Sequence, residues 1–78
     1  MELGVQPLDG FMREHELSNH DVVAASPVQL THKVVNKGRK GRRLTVRAQK
    51  KILDALTRAL GDDVEAPKLD ELFNYRGR

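Results

Sequence analysis

An all-α fold, one compact domain of five helices, is predicted by three observations. Apolar residues recur at helical spacing along most of the 78-residue chain and nowhere alternate with period two over the length of a strand. Helix-start signals stand at Pro7, Ser18, Ser26 and Thr45. Glycines follow two of the apolar runs, at Gly38 and Gly61, where a left-handed terminator fits.

Taken in order, Pro7 suits a first helical position because its missing N–H would have no intrahelical partner there. Leu8, Phe11, Met12 and His15 then fall at i, i+3, i+4 and i+7, which predicts a short helix over 7–16, weakened by Gly10. Ser18 reads as an N-cap with Asp21 three residues on, which opens a helix over 19–25 that buries Val22, Val23 and Ala25. Ser26-Pro27-Val28-Gln29 is a third start: serine at the cap, proline at the first turn, glutamine at the capping-box position. A residue before proline is pushed out of the helical region, so the second helix stops near Ala25 and a third follows over 27–37. Two short helices joined so tightly cannot be collinear, which is the helix-turn-helix pattern. In this third helix Pro27, Val28, Leu30, Thr31, Val34 and Val35 share the core side, while Gln29, His32, Lys33, Asn36 and Lys37 share the other. A basic loop over 38–44 comes next. Thr45 caps a longer helix over 46–60 with Val46, Ala48, Ile52, Leu53, Ala55, Leu56, Ala59 and Leu60 on one broad face. Asp62-Asp63-Val64-Glu65-Ala66-Pro67 reads as an acidic connector, 68–73 as a last amphipathic turn, and 74–78 as a frayed tail.

Composition narrows the function. Only three residues are aromatic and 38% are apolar, so a large ligand pocket inside so small a core is not expected. Zero cysteines exclude disulfides, thiolate metal sites and a thiol nucleophile, and fit a reducing, cytoplasmic setting. No apolar run approaches a membrane span, and the first ten residues lack a signal pattern. The net charge of +3 conceals a sharp asymmetry. Residues 1–32 carry −4, residues 33–58 carry +9 with Asp54 as the one acid, and residues 59–78 carry −2. Clustered Lys and Arg attract polyanions, of which nucleic-acid phosphate is the commonest.

The order of elements resembles the lambda-repressor/Cro-like (XRE) helix-turn-helix DNA-binding family. The residues that carry the resemblance are Leu17-Ser18, the Gln29-Leu30-Thr31-His32-Lys33 stretch, Gly38, the Leu53-Asp54-Ala55-Leu56 to Ala59-Leu60-Gly61 run, and Leu69-Asp70-Glu71-Leu72-Phe73. It spans about residues 8–73. Four features depart from the pattern, one being an Arg/Lys loop more basic than most. Asn19 and His20 follow Leu-Ser, where glutamine is common. Ser26-Pro27 replaces a usual glycine, and the turn before the third helix is about one residue short. The resemblance implies a bacterial or phage regulator of transcription that binds duplex DNA, many relatives doing so as dimers on palindromic sites. The third helix then lies in the major groove. Gln29, His32, Lys33 and Asn36 become base-edge or groove candidates, and Lys37, Arg39, Lys40, Arg42 and Arg43 phosphate candidates. Gln29 keeps a second role open, closure of the capping box. A homodimer would use the domain's own surface, since no separate dimerisation domain fits.

Other chemistries find little support. His15, His20 and His32 lie 5 and 12 apart, not at the spacing of a two-ligand helical turn, so no metal or other cofactor is expected. Ser18, Ser26 and Thr45 are accounted for by capping, which leaves no nucleophile–base–orienter set and predicts a non-enzyme without a small-molecule substrate. The rival reading keeps the helix-turn-helix but turns it to protein interaction or RNA binding, with the acidic connector or the Leu69–Phe73 segment docking a partner. Acids such as Glu14, Glu16 or Asp21 crowding the basic face would favour that rival.

Overall fold

Helical spacing carries through to five helices in the computed structural model, which describes residues 4–61 and 64–75. They are α1 (Pro7–Glu14), α2 (Asn19–Ala25), α3 (His32–Lys40), α4 (Val46–Leu60) and α5 (Leu69–Leu72), with no β-strand among the described residues. Asp62 and Asp63 of the expected connector and residues 76–78 of the expected tail lie outside the described residues. The longest helix, α4, packs against α2, α3 and α5, while α1 closes over α3 and α5. Leu8 and Met12 of α1, Val22 of α2, Val35 of α3, and Ile52, Ala55 and Leu56 of α4 meet in one core, sealed by Leu30, Leu44, Leu72 and Phe73.

The first two helices follow their start signals. Pro7 opens α1, which ends two residues sooner than its periodicity suggests. Glu16 adopts φ 57°, in the left-handed region, and reverses the chain so that Leu17 packs back on the core. Ser18 caps α2 in a full capping box: its hydroxyl accepts from Asp21 N–H, and Asp21 Oδ2 accepts from Ser18 N–H at 2.9 Å.

The third helix is displaced from its expected position. It starts at His32, not Pro27, and runs through Gly38 to Lys40. The Ser26 hydroxyl is engaged locally, accepting from Val28 N–H at 3.3 Å and donating to Val28 C=O at 2.8 Å. That side-chain turn replaces the capping box Ser26 and Gln29 would have made. The connection from α2 to α3 is therefore Ser26–Thr31, longer than the short turn inferred from sequence. It drops Leu30 into the core but leaves Pro27, Gln29 and Thr31 exposed and Val28 half exposed. The cap is Thr31, whose hydroxyl accepts from Val34 N–H at 3.2 Å.

Gly38 does not end the helix. It sits buried where a Cβ would press, at 3.2–3.3 Å, on Ile52, Leu44 and Leu8, so the missing side chain lets α3 lie close to its neighbours. Gly41 is the terminator, at φ 93°, with the Gly41 and Arg42 N–H groups both donating to Lys37 C=O. Thr45 caps α4 as expected, and Gly61 closes it. The described part of the expected frayed tail is instead anchored. Tyr75 OH accepts from Leu44 N–H at 2.9 Å and donates to Arg42 C=O at 3.1 Å, while Asn74 N–H donates to Gln6 Oε1 at 2.8 Å.

Two predictions concern stability. A side chain at Gly41 would adopt an unfavourable left-handed backbone and collide with the Gly4 carbonyl. Gly41→Ala should cost about 2 kcal/mol or more, read in thermal unfolding as a fall of about 10 °C. Asp21 is held below its ordinary 3.8 by the Ser18 backbone N–H first, then by the Ser18 hydroxyl, with a smaller pull from His20. A carboxyl lowered on folding stabilises above its unfolded value, and the contribution is lost as pH falls through the folded one. Unfolding midpoints should thus decline below about pH 3.8, and Asp21→Ala should make that decline shallower.

Candidate nucleic-acid interface

Because α3 runs on through Gly38 to Lys40, the residues Lys33, Asn36, Lys37 and Lys40 fall at i, i+3, i+4 and i+7 of one helix and form one outward stripe. Val35 and Gly38 face the opposite way, into the core, and fix the rotation of the helix. The chain after Gly41 brings Arg42 alongside. Lys33, Asn36, Lys37, Lys40 and Arg42 together line a shallow concavity of about 210 Å³, with no acid in its wall. Lys33, Asn36, Lys40 and Arg42 are exposed and Lys37 half-buried. Four cations so close raise the local potential and suit an anion with several charges.

The other expected site residues divide. His32 is exposed in the first turn of α3, beside this stripe. Gln29 is exposed but lies in the α2–α3 connection rather than on the helix, because α3 begins later than its pattern suggested. Arg43 is exposed and stands over the Tyr75 ring, 5.9 Å from its centroid, outside the concavity.

Arg39 is a correction. Expected in a basic loop facing phosphate, it lies in the last turn of α3 and points inward, its side chain 19% exposed. Its Nε donates to Asp9 Oδ1 at 2.7 Å and its Nη1 to Asn19 Oδ1 at 2.8 Å. Its carbonyl accepts from Gln6 N–H at 3.0 Å, so one residue joins three parts of the chain. The other oxygen of the carboxylate, Asp9 Oδ2, pairs with Arg13 Nε at 3.0 Å. Charge is what these residues supply to each other, and Arg39 is spent on the fold. Lys40, also expected in the loop, is likewise helical, but it keeps its outward position.

Sequence reasoning missed four side chains that matter locally. Asn19, read only as a departure from a family pattern, receives Arg39. His20 stacks on His32 with ring centroids 5.8 Å apart and planes 25° from parallel. Gln6 is buried, donating from Nε2 to Gly4 C=O at 3.0 Å, and Gln49 is buried with its amide nitrogen lacking a hydrogen-bond partner among the described residues. No signal for the histidine pairing was readable, because His32 opens α3 only once the helix start moves from Pro27 to His32. Nothing in the sequence marked the two glutamines.

A larger open groove, about 600 Å³, lies between α4 and α5 against Val46, Gln49, Leu69 and Phe73, away from the cationic stripe. Among the described residues no three His, Asp or Glu side chains are grouped as metal ligands, and no helix is long and apolar enough to cross a membrane. No protein-family model, curated protein or solved structure matches the chain.

The inward role of Arg39 is testable by stability. Arg39→Met removes two charge-assisted hydrogen bonds and leaves Asp9, 15% exposed, with Arg13 alone. A loss of about 2–3 kcal/mol is expected in denaturant unfolding, and Arg39→Lys, with no planar fork to reach both partners, should recover only part.

Proposed function

We propose that this chain is a lambda-repressor/Cro-like helix-turn-helix domain that binds duplex DNA and regulates transcription in the cytoplasm. The observation that carries the reading is the acid-free concavity of Lys33, Asn36, Lys37, Lys40 and Arg42 along the outer side of α3. Support also comes from the sequence of elements: a capped α2, a connection that turns the chain, and a capped α3 whose first residues are exposed. In such domains the beginning of the second helix of the pair approaches base edges, and flanking segments hold the backbone.

In this reading α3 enters the major groove. His32 and Lys33 reach base edges first, Asn36 offers an amide suited to adenine, and Gln29 approaches from the connection. Lys37, Lys40, Arg42 and Arg43 meet phosphates, and Arg39 does not. A homodimer is the assembly that suits a two-fold site. For the interaction-module alternative, Leu72 and Phe73 are buried in the core, while Leu69 is half-buried beside the groove between α4 and α5. That alternative lacks the acidic crowding it called for, because Glu14, Glu16 and Asp21 do not line the basic concavity.

Binding to a long duplex should be dominated by counterion release. With ~4 phosphate contacts, the logarithm of the binding constant should fall against log salt with a slope of about −3 to −4. Lys40→Ala should reduce that slope by about 1, whereas Arg58→Ala, on the outer side of α4, should leave it unchanged. A slope near zero, or no binding at low salt, overturns the reading. Selection from randomised duplexes then separates base recognition from backbone binding.

A further inference from the structure

His20 and His32 come from different helices, twelve residues apart, yet their rings stack at 5.8 Å. Both side chains are exposed, and neither has a hydrogen bond or ion pair among the described residues. The nearby acid is already engaged: Asp21 Oδ2 accepts from both the Ser18 N–H and the Ser18 hydroxyl, each at 2.9 Å. The pair therefore stands together at the start of α3, adjoining Lys33, with Asp21 near His20 but already committed to the Ser18 cap.

Each neutral imidazole carries one donor and one acceptor nitrogen, and the imidazolium carries two donors. Two imidazolium rings at this separation repel one another in the free protein. An anion placed against both removes that repulsion and favours the second proton. We propose that His20 and His32 together grip one backbone phosphate of the duplex, and that binding draws a proton from solvent onto the pair. This inference rests on the duplex-binding reading and adds to it a partner for His20 and a dependence on pH.

The surrounding charges are mostly cationic, and each nearby acid is already paired or capped. Lys33 of α3 adjoins His32. On the inner side, Arg39 reaches Asn19, next to His20, and is balanced by Asp9 of α1, which also holds Arg13. On α4, Arg47, Lys50 and Lys51, with Asp54, line a groove beside Val28 of the α2–α3 connection. Asp21, tied to its cap, is the acid nearest the pair in sequence.

The test is duplex affinity by fluorescence anisotropy from about pH 5.5 to 8.5 at fixed ionic strength, with imidazole titration by NMR. Imidazole titrates near ~6.5 when unperturbed, and a one-unit rise on binding corresponds to about tenfold in affinity. Affinity should therefore increase about tenfold or more from the alkaline to the acid end. Both imidazoles should titrate higher with duplex than in the free protein, and higher than with inorganic phosphate alone. The double variant His20→Gln/His32→Gln should flatten the pH profile, and His15→Gln should retain it. A flat wild-type profile with salt-dependent binding overturns the inference and leaves the duplex reading standing. A double variant that keeps the wild-type profile does the same. An equal response to inorganic phosphate reassigns the pair to free anions and overturns the duplex contact. No binding at any pH overturns both together.

Discussion

The outward stripe of α3 depends on what holds the inner side, and that is the Arg39 guanidinium. It ties the end of α3 to Asp9 of α1 and to Asn19 at the beginning of α2, while its carbonyl receives the Gln6 N–H. A planar fork with fixed donor directions suits such a three-way junction better than a flexible ammonium. Because Arg39 and Asp9 are largely withdrawn from water, their hydrogen bonds are stronger than those of the exposed pair Arg58–Asp54. With Gly38 pressed against the core one residue earlier, the rotation of α3 is fixed on both counts. Lys33, Asn36, Lys37 and Lys40 then have no direction left but outward.

The basic block of the sequence is thus not a single functional unit. It divides among an inward clasp (Arg39), an outer stripe on α3, Arg43 beside Tyr75, and the exposed cations of α4. The last group is interrupted by Asp54, which pairs with Arg58 at 3.3 Å. Counting charge alone would assign all of it to one partner. Packing shows that a cation near a helix end can serve a neighbouring helix as readily as a ligand.

How much of this was legible depended on how local the determinant is. The bounds of α2 and α4 follow from caps lying within three residues of the helices they start, Ser18 with Asp21 and Thr45 with Ala48. For α3 two local signals competed. Ser26-Pro27 looked the stronger start, yet Thr31 won, because burying Leu30 requires the chain to keep turning. Likewise Gly38 looked like the stop, and Gly41 is the one that ends the helix. Only the crowding by Leu8, Leu44 and Ile52 decides that the first glycine stays within the helix. The outer stripe survived this shift since Lys33, Asn36 and Lys37 keep their phase wherever the helix begins. Arg39 and Gln6 were illegible, their partners being 20 to 68 residues away.

That last separation has a consequence for how the chain acquires its structure. Gln6 is buried and offers its oxygen to the Asn74 N–H, joining positions 68 apart. A closure across so much chain carries a large entropic cost and gains nothing until the intervening helices are already in place. The seam between the two ends of the fold therefore forms last and opens first. α1 cannot detach there without exposing an amide that has no other acceptor for its nitrogen than Gly4, so fraying at one end is felt at the other as a shared, cooperative event.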